Sequence, residues 1–100
     1  MTVTPVAGIN SVVVSSATPV VAVPANPNGG FISNPYYAAD QGLVTAETLY
    51  IDPVGSAGVV GNGTTFPLLP GQTWTIIAGQ TTPTTVNAPT GGHRFSVVYW

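Results

Sequence analysis

Hydrophobic positions in this chain recur with a period of two. Within residues 47–51, Leu49 and Ile51 share one side and Tyr50 takes the other. Within residues 72–77, Trp74 and Ile76 share a side. Within residues 94–100, Phe95, Val97 and Tyr99 fall on one face, Val98 and Trp100 on the other. Such alternation marks strands, because successive side chains of an extended chain point to opposite faces. Residues 11–14 and 19–23 are valine-rich and separated by Ser-Ser-Ala-Thr, so they form either a hairpin or one bent strand. Further short strands are expected at 30–33, 65–69 and 84–87. The pattern predicts an all-β fold, a single small β-sandwich or β-barrel, jelly-roll-like, of about seven to eight short antiparallel strands. The last strand is apolar on both faces, which makes it central or covered by another subunit.

The punctuation agrees. Residues 24–30 (PANPNGG) read as a loop. Leu69-Pro70-Gly71-Gln72 suits a type II turn, with Pro70 fixing φ at its second position and Gly71 accepting φ > 0 at its third. Only residues 37–47 have the composition of a helical turn, and Gly42 works against it. Residues 34–45 form a longer connection carrying Tyr36 and Tyr37. We expect residues 1–10 to be a flexible N-terminal arm and residues 11–100 to be one domain.

Charge changes the picture most. Asp40, Glu47, Asp52 and Arg94 are the only charged side chains in 100 residues, and there is no lysine. An ordinary soluble domain is about 25% charged. At a net charge of −2, self-repulsion is weak, so the chain looks built to pack against other protein, copies of itself included. A single basic residue argues against nucleic-acid binding, which needs several phosphate-neutralising cations. No apolar run approaches the roughly 18 residues of a membrane-spanning helix, and residues 1–10 lack the basic start of a secretory signal. Without cysteine there are no disulfides and no thiolate chemistry.

Candidate chemistry is sparse. His93, the one histidine, is either a general base or metal ligand, or a polar turn residue before the last strand; a base needs a positioned partner, and the turn reading is the simpler. Asp40, Glu47 and Asp52 match no calcium-loop spacing. They read instead as Asp52 shaping a turn before Pro53, Asp40 capping a short segment, and one of the three pairing with Arg94. The glycine clusters lack the lysine of a phosphate loop. The expectation is therefore no enzyme, no cofactor and no metal. Tyr36, Tyr37, Tyr50, Trp74, Tyr99 and Trp100 suit either a sugar-binding face or core and interface packing. Tyr36 and Tyr37, on a loop, are the better exposed contacts. Tyr36, Tyr37, Trp100 and Arg94 are the expected interface residues.

Residues 11–35 (SVVVSSATPVVAVPANPNGGFISNP) resemble the start of a small β domain common in tailed-phage virion proteins. There, two short strands precede an Asn-Pro-Asn loop and a strand ending near Asn. Residues 47–58 (ETLYIDPVGSAG), 61–76 (GNGTTFPLLPGQTWTI) and 95–100 (FSVVYW) follow in the same order. The resemblance spans residues 11–100. Gly29 stands where many members carry Arg, and residues 36–46 lengthen the connection before the next strand. The resemblance implies a structural module rather than an enzyme: a head decoration (cement) protein made in the host cytoplasm and seated on the outer surface of the virion head. Its implied partners are the major capsid protein and itself, as a homo-oligomer, a trimer in the first instance, with no nucleic acid and no membrane. The alternative is a tail fibre, spike or adaptor domain that recognises host carbohydrate.

Overall fold

The computed structural model describes residues 6–13, 19–59 and 61–100, the first of these as backbone path only. Among the described residues, eight strands and one helical turn follow in order: β1 (Val6–Val13), β2 (Val20–Val23), β3 (Gly30–Ser33), α1 (Ala38–Gln41), β4 (Leu49–Asp52), β5 (Phe66–Leu68), β6 (Thr73–Ile76), β7 (Thr84–Asn87) and β8 (His93–Tyr99).

The pairing follows one rule. β1 pairs with β8, β2 with β7, β3 with β6 and β4 with β5, all antiparallel. The chain is thus a long ribbon doubled back on itself. Rolling that ribbon brings β3 against β8 and β4 against β7. Two four-stranded sheets result, in the orders β1-β8-β3-β6 and β2-β7-β4-β5. This is the strand order of a jelly roll, the all-β sandwich expected from the period-two pattern.

The core forms where the inward positions of the sheets meet. Ile51 stands opposite Phe66 on one side and Val86 on the other. Ile32, Phe95 and Val97 come from the other sheet, and apart from Phe66 these side chains are buried in one cluster. β8 is flanked by β1 and β3, so the last strand is central in its sheet, as its two apolar faces required. The Leu69–Gln72 turn also forms: Gln72 N–H donates to Leu69 O at 3.0 Å, and Gly71 sits at φ 87°.

Two expectations need correction. β1 and β2 are neither a hairpin nor one bent strand, because they lie in different sheets. β1 also reaches back to Val6, so residues 6–10 belong to the sheet and not to an arm. The backbone pairing with β8, from Val6 opposite Tyr99 to Val13 opposite His93, organises a stretch whose own pattern is weak. Residues 1–5, residues 14–18 (Val14, with which the expected 11–14 strand ends, among them) and Val60 lie outside the described residues.

Gly55 and Ala57, in the connection that follows β4, lie on the outer face of the second sheet. Thr85 Oγ1 accepts from Ala57 N–H and donates to Gly55 O, both at 2.9 Å, and Asn87 Nδ2 donates to Ala57 O at 3.1 Å. That face is therefore partly covered, while the outer face of the first sheet keeps Phe31 exposed.

Candidate functional site

At one end of the sandwich, a buried polar network holds the connection from β3 to β4. Asn34, just past β3, is fully buried. Its Nδ2 donates to Glu47 O at 3.0 Å and Leu68 O at 2.9 Å. With both amide hydrogens used, Oδ1 accepts, from Gln41 Nε2 at 3.1 Å and from His93 Nε2 at 2.8 Å. Gln41 also donates to Pro35 O at 2.8 Å, and its Oε1 accepts from Glu47 N–H at 2.8 Å. A side chain buried this deeply must find such partners or destabilise the fold. The network replaces the regular ladder that a loop lacks.

His93 is thus not a turn residue. It is the first residue of β8 and is 0% exposed. Because Nε2 donates to Asn34, the neutral ring leaves Nδ1 as an acceptor, and that atom has no hydrogen-bond partner. Burial pushes the imidazole below its usual range, against the opposing pull of the Glu47 carboxylate. Glu47 Oε2 accepts from Thr90 Oγ1 at 2.6 Å, and Oε1 is buried without a partner. A ring this enclosed offers no face to a substrate.

The other carboxylates are structural or free. Asp52 Oδ1 accepts from the N–H groups of Val54 and Gly55, at 2.9 and 2.8 Å, which is the expected turn. Oδ2 accepts from Thr64 Oγ1 and Thr65 Oγ1, at 2.8 and 3.0 Å. Burial works against its ionisation, but the bonds from Val54, Thr64, Thr65 and Gly55 prevail and hold its pKa below the usual carboxylate value. Asp40 is exposed inside α1 and does not cap it; the position before the helix is Tyr37. No carboxylate forms an ion pair with Arg94 among the described residues. Arg94 lies instead over Gly42, where an added Cβ would stand 3.2 Å from its Nε. Gly42, at φ 72°, ends α1 in the left-handed conformation, so the glycine that argued against a helix terminates one. Among the described residues no group of three His, Asp or Glu side chains is placed to hold a metal.

The expected interface residues split into two groups, one at each end of β8. Tyr36 and Tyr37 project where the network anchors the loop, 66% and 67% exposed. Their rings meet edge-on with centroids 5.0 Å apart. Tyr36 also leans on the Leu69–Gln72 turn, where a Cβ on Gly71 would lie 3.1 Å from its Cδ2. Arg94, exposed, belongs to this end. Trp100 lies six residues further on, just past the end of β8 and about 20 Å away at strand rise. It is half-buried, covers Gly29 and meets Phe31 with centroids 5.9 Å apart. Sequence reasoning missed Asn34, Gln41 and Phe31. Asn before Pro signals a turn as readily as an anchor, and nothing in the pattern distinguishes the two.

No protein-family model matches this chain, and neither a curated protein nor a solved structure is significantly similar to it.

Proposed function

We propose that the chain is a virion structural protein, a head decoration protein that binds and stabilises a capsid lattice. The observation that carries this reading is the nearly chargeless surface of a small closed β body. Asp52 is buried and Glu47 half-buried, so of the four charged side chains only Asp40 and Arg94 are fully exposed. Exposed aromatic side chains, Tyr36, Tyr37 and Phe31, stand where polar groups would otherwise solvate the surface. Such a surface is suited to burial against other protein. A lattice makes each contact multivalent, so many weak contacts suffice. The resemblance of residues 11–100 to tailed-phage virion domains sets the context.

One observation favours a second reading, a tail fibre, spike or adaptor domain that binds host carbohydrate. Tyr36 and Tyr37 form an exposed aromatic pair on an anchored loop, and such rings stack on sugar faces. Cryo-electron microscopy of intact particles from the source separates the two. Many copies over the head support the decoration role. A few copies on the tail move the chain to the second class. Absence from particles removes both.

A further inference from the structure

Among the described residues each sheet ends in strands with a single neighbour, and sheet proteins blunt such edges with bulges, prolines or charges. The edge strands here are β1 and β6 in one sheet, β2 and β5 in the other. β1 is interrupted by a register shift between Gly8 and Asn10. β2 is interrupted between Val21 and Val23 and is bounded by Pro19 and Pro24. β5 carries Pro67 in its middle. β6 carries none of these devices. Its sequence is Thr-Trp-Thr-Ile, its register against β3 is regular from Gly30 opposite Ile76 to Ser33 opposite Thr73, and it holds no charge.

The backbone of β6 is set for a partner. Asn34 N–H donates to Gln72 O at 3.0 Å, so Gln72 faces β3. Alternation along the strand then turns Trp74 and Ile76 toward β3, and the N–H and C=O of Thr73 and Thr75 outward. Exposed apolar side chains flank this edge: Phe31 on the neighbouring strand, Phe66, its ring tilted against that of Trp74 with centroids 5.3 Å apart, and Ile77, 70% exposed, just past its end.

We propose that β6 is a self-association edge, on which a second copy of this chain pairs antiparallel through its own β6. The same uncharged edge exists on every copy, so a two-fold contact brings no like charges together. In the symmetric register centred on Trp74, Thr73 of one copy faces Thr75 of the other, and every outward N–H and C=O of both residues gains a partner. The β1-β8-β3-β6 sheet of one copy becomes continuous with the same sheet of the other, with the Phe66–Trp74 pairs of the copies side by side. The proposal does not depend on where in a particle the chain acts.

The test is sedimentation of the purified chain over a range of micromolar concentrations, alongside Thr75→Pro, Thr75→Lys and Val21→Lys. Proline at Thr75 removes only an outward N–H, the placement an edge strand tolerates. Lysine there adds a like charge to the edge, and lysine at exposed Val21 adds the same charge to β2. The wild type and Val21→Lys sediment as dimers. Both Thr75 variants weaken self-association by at least about tenfold, the equivalent of one lost hydrogen bond, with circular dichroism unchanged. If Thr75→Pro loses its fold, Thr75→Lys decides. A monomeric wild type overturns the proposal. So does self-association that neither folded Thr75 variant weakens, because the contact then lies elsewhere.

Discussion

Asn34 ties four parts of the chain together: the loop at Glu47, the end of β5 at Leu68, the helical turn through Gln41 and the start of β8 through His93. Replacing it with alanine strands buried carbonyls and donors at once. Asn34→Ala is expected to destabilise the domain by about 2–4 kcal/mol, measured by urea denaturation. A loss within error of zero would mean that water replaces the amide at no cost. The titratable groups give a second prediction. The folded-state pKa of His93 lies below 6.5, so the unfolded chain takes up the proton first. Stability is then lost as pH falls from 6.5 to that lower value. Asp52 is depressed below 3.8, so its contribution is lost only as pH falls below that value. Unfolding free energy should therefore decline with falling pH in an upper window that opens at 6.5 and a lower one that opens at 3.8. His93→Gln, which keeps a donor toward Asn34, should flatten the upper window and leave the lower one; an unchanged upper slope would assign it to another group. The turn at Asp52 was legible because Asp before Pro has few roles. The burial of His93 was not, since it depends on β8 meeting the end of β3, a contact distant in sequence.

At the scale of elements, the period-two pattern located most strands because one face of each is buried, and burial enforces alternation. It misjudged β1 and β2, whose short valine runs state no partner. Connectivity between sheets is decided by which strands can cover which, and that information is spread over the whole chain. The end of β8 makes this concrete. Tyr99 stands opposite both Val6 and Gly30. Trp100 N–H donates to Gly29 O at 3.1 Å, and its carbonyl accepts from Asn28 N–H at 2.6 Å. Deleting Tyr99 and Trp100 removes these bonds, the packing of Tyr99 on the core and the cover over Gly29. The expected cost is about 3–5 kcal/mol, as for removal of packed aromatics. Trp100→Ala keeps the backbone bonds and loses only a half-buried ring, so about 1–2 kcal/mol is expected. Thermal unfolding of the two variants checks both the size and the order of the effects. An unchanged melting temperature on deletion would contradict this placement of the last strand.

The doubled ribbon sets the order in which the whole molecule can form. The innermost pair, β4 with β5, closes over residues 53–65; β3 with β6 closes over 34–72, β2 with β7 over 24–83, and β1 with β8 over 14–92. Loop-closure entropy rises with the length enclosed, and the outer pairs escape most of that cost once the inner ones exist. The inner pairs should therefore be formed in the folding transition state and the outer ones later. Asp52 supports the same order, since its carboxylate binds Thr64 and Thr65 across the innermost closure. Ile51→Val in β4 should then act mainly by slowing folding, whereas Val97→Ala in β8 should act mainly by speeding unfolding. Stopped-flow folding and unfolding rates over a urea series give both ratios directly. The reverse partition would mean that β8 is placed early, nucleating the first sheet between β1 and β3 before the ribbon closes. The domain would then fold from its longest closure inward, and the entropy argument would have to yield to the apolar surface that Phe95 and Val97 bury together.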